Sequence, residues 1–375
     1  MIKRELQDVI ERYLYKGKVI IITGARQVGK TTLALELAKS SGNPYLFWNC
    51  DEPDIEEYLN RPNSAELKYR IGEHRLLIID EAQRIENIGI TLKLIADHLK
   101  DLQVIATGSS ALGLRDRIHE PLTGRKIEFQ LFPFSYRELV NAFSADEESR
   151  LLEQRLILGM YPEIVLTALE KPKLLTELAG DYLYKDILSL DSVRKPSSIP
   201  KLLQALALQV TGEVSLTELG QTAGCDRNTV IRYLDLLEKT FVIFTLPSLA
   251  RNQRNEIKKS RKVYFWDNGI RNALVNQFNP LALRSDTGAL WENFMISEII
   301  KNDRFEDNTA SYYFWRTHQQ QEIDLIREKD AEFEAFEFKW NPSKKVKLPA
   351  QFQKEYPVGS VIEVNRKNYP EVLGK

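Results

Sequence analysis

Gly24, Gly29, Lys30 and Thr31 occupy the fixed positions of G-x-x-x-x-G-K-[ST] in GARQVGKTTL, residues 24–33. Glycines at that spacing let the backbone wrap a phosphate with its N–H groups turned inward. The lysine then reaches the β and γ phosphates of a nucleoside triphosphate, and the hydroxyl ligates Mg2+. The expected binding set is Gly24, Ala25, Arg26, Gln27, Val28, Gly29, Lys30, Thr31 and Thr32. A second group is acidic: Asp80 and Glu81 close RLLIIDE, residues 75–81. At such a strand end the first carboxylate holds the metal, directly or through water, and the second polarises an attacking water. Ser109, in ATGSS, is a candidate contact for the γ-phosphate or that water, and an equal candidate for a helix N-cap. Arg125, in LTGRK, is a candidate arginine finger ahead of Arg115 and Arg117; a surface position suits it as well.

A third constellation lies near the C-terminus. Glu292 sits in the apolar helical run GALWENFMISEIIK, Asp324 in EIDLI, and Glu337 and Lys339 two apart in AEFEAFEFKW. On a strand that spacing puts Glu337 and Lys339 on one face. Helix glutamate, strand aspartate and strand Glu-x-Lys, in this order, make up the restriction-endonuclease-like PD-(D/E)XK core. Asp324 and Glu337 are hard oxygen ligands for Mg2+. Glu292 adds a ligand or orients a water, and Lys339 positions the nucleophile or stabilises charge at the phosphate. E-x-K alone is common strand alternation, and a nuclease-like fold can persist as a DNA clamp without chemistry. His318 lies between the first strand and Asp324, where a lone histidine also suits a structural role.

These residues need particular elements. KVIIIT, LLIID and LQVIATG are short apolar runs of the kind buried in parallel sheets, and TTLALELAKS is rich in helix formers. The triphosphate loop thus joins a strand to a helix N-terminus, where amides and dipole favour anions. From Ile199 the pattern is helix, helix, turn, helix, hairpin, the outline of a winged helix. Its third helix would present Arg227, Asn228, Thr229 and Arg232 to a DNA groove, with Asp226 or Asn228 as the cap. Arg251, Arg254, Lys258, Lys259, Arg261 and Lys262 would form a phosphate-binding wing. Asp226, Asp235 and Glu238 on that helix favour the other use of such modules, binding protein. Between these parts, Asp181, Tyr184 and Asp186 read as solvated faces or caps.

The bulk properties set limits. The 375 residues exceed a typical single core; with 43% hydrophobic and 28% charged residues the composition is that of a globular protein. A formal net charge of −1 excludes a global basic field, so any nucleic-acid surface is a local patch. Two cysteines far apart, Cys50 and Cys225, indicate neither a disulfide framework nor a zinc site. The first residues, MIKRELQDVIERYL, lack a signal-like apolar core, and the apolar runs are strand-length; the cytoplasm is expected, with no membrane contact.

Taken together, GARQVGKTTL, LLIIDEAQ, ATGSS and LTGR…FPFSYREL resemble AAA-type P-loop ATPases of bacteria and archaea, specifically the large prokaryotic group with a C-terminal domain of unknown function. The resemblance implies ATP and Mg2+ as ligands, ATP hydrolysis and commonly a hexameric ring, in which Arg125 would act in trans. The expected organisation is an AAA-type P-loop α/β domain (1–143), a helical connector (144–197), a winged helix (198–268) and a restriction-endonuclease-like α/β domain (269–375). The expected function is ATP-driven DNA processing with a possible metal-dependent nuclease. The alternative is a nucleotide-dependent switch or scaffold acting through protein partners.

Overall fold

A computed structural model describes residues 2–109, 118, 122–182, 195–249, 261–306, 309–317, 319, 321–342, 349–356 and 358–374. Arg115, Arg117, Tyr184, Asp186, Arg251, Arg254, Lys258, Lys259 and His318, and the side chain of Asp181, lie outside the described residues. The chain divides into two compact units, Met1–Phe134 with Lys239–Phe241, and Ser135–Glu238 with Val242–Lys375.

In the first unit helix α1 (Glu5–Glu11) precedes strand β1 (Val19–Gly24), helix α2 (Lys30–Ser40) and strand β2 (Tyr45–Asn49). Helices α3 (Pro53–Asn60) and α4 (Ser64–Ile71), strand β3 (Leu76–Asp80), helix α5 (Ile88–His98) and strands β4 (Gln103–Gly108) and β5 (Lys126–Leu131) follow. The strands form one parallel sheet in the order β2-β3-β4-β1-β5. Every residue of β1, β3 and β4 is buried, which explains why these strands read as continuous apolar runs rather than alternating ones. Thr23 pairs with Gly108 and Ile79 with Ala106, so β1, β3 and β4 all finish at one edge. Ligand crevices of open parallel sheets form at that carboxyl edge.

In the second unit come helices α6 (Tyr136–Ala142), α7 (Ala145–Leu158), α8 (Pro162–Leu166) and α9 (Lys171–Glu177). Ser135 and Glu138 explain the local sequence FSYREL. The Ser135 hydroxyl accepts from Glu138 N, and the Glu138 carboxylate accepts from Ser135 N, closing a capping box on α6. Helices α10 (Ser198–Leu208), α11 (Leu216–Ala223) and α12 (Arg227–Lys239) lead to the antiparallel hairpin of β6 (Ile243–Pro247) and β7 (Arg261–Phe265). Helices α13 (Asn268–Leu274) and α14 (Thr287–Phe305) precede strands β8 (Ser311–Arg316), β9 (Glu322–Lys329) and β10 (Glu332–Phe338). Helix α15 (Ala350–Glu355), strand β11 (Val358–Val364) and helix α16 (Tyr369–Leu373) complete the described elements.

The second sheet has the order β11-β10-β9-β8, with β8, β9 and β10 antiparallel and β11 parallel to β10. The parallel pair requires a crossover connection, and α15 lies within it. Helix α14 is buried along most of its length, polar residues included, and Trp291 in its second turn meets Trp340 and Tyr369 edge-on. It also buries an ion pair: the Lys301 ammonium donates to Glu298 Oε1 at 2.7 Å with both side chains fully covered.

Candidate functional sites

The loop between β1 and α2 is built as the sequence requires. Gly29 caps α2 at φ +96°, a left-handed conformation that a side chain resists. A Cβ on Gly24 would stand 2.2 Å from Leu131 O, so the strand end passes too close to β5 for any other residue. Lys30 is buried and donates to Gly24 O (3.2 Å) and Ala25 O (2.8 Å), across the mouth of its own loop. Arg26 is half-buried, Gln27 and Thr32 are exposed, and Ala25 and Val28 are buried.

Two strand ends and the start of α2 meet at Asp80. The Thr31 hydroxyl lies 2.9–3.0 Å from both Asp80 oxygens, and the Thr107 hydroxyl donates to Asp80 Oδ1. Thr107 also accepts from Glu81 N at 3.3 Å. A hydroxyl and a carboxylate at this separation are the donor set of a Mg2+ ion that keeps several waters, so Thr31 and Asp80 fit the expected metal. Glu81 adopts φ +53°, ψ 39°, uncommon for a residue with a side chain and a frequent mark of functional positions. The Gln83 amide donates to the Glu81 carboxylate and to Ser109 Oγ at 3.1 Å. Ser109 therefore communicates with Glu81 through Gln83.

Thr107 and Gln83 sit in segments that the sequence reading singled out, yet neither drew a role there. Arg4 gave no signal at all. It donates to Val28 O (2.6 Å) and Phe132 O (2.7 Å) and lies 4.8 Å over the Phe134 ring, bracing the loop from its rear. Arg125 stands elsewhere. It precedes β5, its carbonyl accepts from Val19 N, and its guanidinium pairs with Asp97 at 2.7 Å. Gly24 pairs with Leu131 at the other end of the same strands, about 17 Å away at 3.3–3.4 Å per residue. Arg125 thus does not serve the loop of its own chain.

The C-terminal constellation converges. Asp324 on β9 accepts from Phe338 N (2.8 Å), and the Lys339 ammonium spans Asp324 Oδ2 (3.4 Å) and Glu337 Oε2 (2.7 Å). Glu292, from α14, is engaged differently: it accepts from Tyr264 OH (2.9 Å) and Lys262 Nζ (3.2 Å). Lys262 also pairs with Glu322. Two-residue spacing sets this up, since Lys262 and Tyr264 share one face of β7, and Glu322 and Asp324 one face of β9. Asn293 locks the approach, accepting from Phe265 N (2.8 Å) and donating to Phe265 O (2.9 Å) and Asn268 Oδ1 (2.8 Å). Lys262, Tyr264 and Glu322 escaped the sequence reading, which placed Lys262 in an exposed wing; its side chain is 3% exposed. The hydrophobic neighbours of KVYF were the available signal.

Burial, then repulsion from Asp324, pushes the Glu292 carboxyl up to about 8 and the Glu337 carboxyl up to about 7. Burial depresses the Lys262 and Lys339 ammoniums, but the surrounding carboxylates outweigh it and hold both above the ordinary lysine value. No group of three or more His, Cys, Asp and Glu side chains among the described residues forms a ready metal cage. Mg2+ commonly takes only one or two carboxylates and keeps its waters, and the Asp324–Glu337 pair fits that demand.

Helix α12 meets part of its expectation. Asp226, not Asn228, is the cap: it accepts from Asn228 N (2.9 Å), Thr229 N (3.0 Å) and the Thr229 hydroxyl (2.7 Å). The Thr229 side chain is thereby spent within the helix. Arg227 and Asn228 are exposed, and Arg232 is half-buried beside the Tyr233 ring.

Three family models match successive parts of the chain. Residues 16–140 match an AAA domain, residues 149–281 a domain of unknown function (DUF8612), and residues 287–372 a domain of unknown function (DUF4143). The region that matches the AAA domain contains the loop, the Asp80–Glu81 strand end and the five-stranded parallel sheet. An uncharacterized protein of Mycobacterium tuberculosis is 28% identical over 344 residues, covering 90% of this chain and 74% of that protein. An uncharacterized Haemophilus influenzae protein is 25% identical over 311 residues, 74% of each chain. Among solved structures, the Thermotoga maritima RuvB Holliday junction branch migration motor is similar at 16% identity and TM-score 0.35, over 74% of this chain and 96% of that one. A TM-score that low carries no argument about domain arrangement or activity. No helix among the described residues is long and apolar enough to cross a membrane.

Proposed function

We propose that the chain is an ATP-hydrolysing AAA-type ATPase that works on DNA, with a second, metal-dependent phosphodiester site in its C-terminal part. The observation that carries the first half is the meeting of Thr31, Asp80 and Thr107 beside Lys30. Lys30 exchanges its loop carbonyls for the β and γ phosphates. Glu81, held by Gln83, takes the proton of the attacking water. Thr31 and Asp80 would hold Mg2+, which when bound would neutralise phosphate charge. Arg125 would complete such a site only from a neighbouring copy, as in the ring that AAA-type proteins commonly form.

The second half rests on Lys339 between Asp324 and Glu337, on a helix-preceded sheet of three antiparallel strands and one parallel strand. Asp324 and Glu337 would hold a divalent ion, which when bound would neutralise phosphate charge and activate water. Lys339 then faces the phosphate, and the exposed Arg227 and Asn228 supply contacts to the nucleic-acid backbone. The test is cleavage of single-stranded, duplex and branched DNA with Mg2+ or Mn2+. Wild type should cut at least one form, and the double variant Asp324→Ala, Lys339→Ala none. A wild type that cuts none removes the nuclease.

One pair of observations favours a nucleotide-dependent switch acting through a protein partner. Thr229, expected in a DNA groove, and Lys262, expected on phosphate, are engaged by Asp226 and by Glu292 and Glu322. ATP turnover unaffected by any DNA would support that reading.

A further inference from the structure

The C-terminal site holds two ammonium groups that are not equivalent. Lys339 is one-third exposed and sits at the rim, between Asp324 and Glu337. Its flexible stem can carry the charge outward and leave both carboxylates to another cation. Lys262 has no such route. Its side chain is 3% exposed, its ammonium is bonded to Glu292 and Glu322, and the Phe314 ring lies 5.5 Å away. It is anchored by a strand, not a loop: β7 pairs with β6 along its whole length, and Asn293 fastens its end to α14. Tyr264, from the same face of β7, fixes the other side of Glu292.

The pairing has a simple consequence. The ammonium that Asp324 and Glu337 share belongs to Lys339 at the rim, so one divalent cation can take its place. A second would require Glu292 and Glu322, which Lys262 already occupies. Lys262 is itself buried, so giving both Glu292 and Glu322 to a metal would leave its ammonium without a counter-charge, which is costly.

We propose that Lys262 is a permanent built-in cation that fills the Glu292–Glu322 half of the C-terminal site, so that the site takes one divalent ion, on Asp324 and Glu337, and not two. This rests on the metal-dependent reading of that site. Lys262 is a positioning residue: it acts through Glu292 and Glu322 and leaves Lys339 as the exchangeable group. The hairpin thus supplies a residue to a site otherwise made by α14 and the second sheet.

The test is Mn2+ binding to the nucleotide-free full-length chain, counted by electron paramagnetic resonance. Asp324→Asn should lower the wild-type count by one. Lys262→Met should raise it by one, and Lys262→Gln, which keeps a donor for Glu292 without the charge, should do the same. Adding Glu322→Gln to Lys262→Met should return the count to the wild-type value. If Asp324→Asn lowers the count but a folded Lys262→Met or Lys262→Gln variant binds as wild type does, Lys262 does not fill a cation position and the inference is overturned. If Asp324→Asn leaves the count unchanged, the metal reading itself has failed, and the inference with it.

Discussion

The two candidate sites solve the problem of handling phosphate in opposite ways. The N-terminal site gathers its groups in two short segments plus one strand end, and hydroxyls and backbone do much of the holding: Thr31 and Thr107 on Asp80, Gly24 O and Ala25 O on Lys30. The C-terminal site is assembled from β7, α14, β9 and β10, and its carboxylates are held by ammoniums and by Tyr264. The first depends on backbone shape. The second depends on charge balance, so protons and divalent ions should move it more.

That contrast gives separable expectations. The largest effect should come from Lys301→Met, which leaves Glu298 buried without its ammonium; loss of one partner of a buried pair costs about 3–5 kcal/mol. Denaturant unfolding should show the loss in the transition of the second unit, and a loss in both would mean the units do not unfold separately. Next, Lys30→Ala should lower ATP turnover by roughly 100-fold or more, the scale of removing a charge-stabilising donor. Undiminished phosphate release would show that the loop is not the phosphate site. Arg4→Ala should cost about 1.5–3 kcal/mol, the range for hydrogen bonds from a charged group, read as a lower melting temperature. ATP should restore part of it, since a ligand that binds only the folded state stabilises it.

The smallest effect concerns pH. Glu292 and Glu337 retain protons in the folded chain up to about 8 and about 7, whereas unfolded carboxyls release theirs near the ordinary 4.5. Between those values the folded state binds more protons, so this contribution to stability is full below about 4.5 and declines as pH rises to about 8. In metal-free buffer the melting temperature should fall from pH 5.5 to 8.5, and Glu292→Gln should flatten the slope. An equal slope in that variant would mean that Glu292 is ionised throughout. Added Mg2+ should recover the loss at the alkaline end.

Much of the first unit was legible because its signals are contiguous. VIIIT, LLIID and QVIATG are buried on both faces, so no alternation had to be decoded, and the loop residues are fixed by spacing alone. The long-range contacts were not legible. Arg4 reaches the carbonyl of Phe132, 128 residues away, and nothing in IKREL marks it. In the second unit Asp324, Glu337 and Lys339 could be read from strand alternation, and Glu292 from an apolar helical run. Lys262 was not: in RNQRNEIKKSRK it resembles every other cation, its apolar neighbours in KVYF are a weak signal, and the pairing of β7 and its tie to Asn293 turn it inward. The same limit applies to Arg125, whose type suits a finger but whose strand start places it at the far edge of the sheet.

The account's central claim, that energy from the N-terminal site acts on DNA, is tested most directly by the steady-state ATPase rate of the full-length chain. The rate is measured with no DNA, single strand, duplex and a four-way junction at one stated salt concentration, since phosphate-driven binding falls steeply with salt. The expected result is strong stimulation by one form, lost in Lys30→Ala and weakened by raising the salt. A rate that no DNA changes would contradict the claim and favour the protein-directed switch.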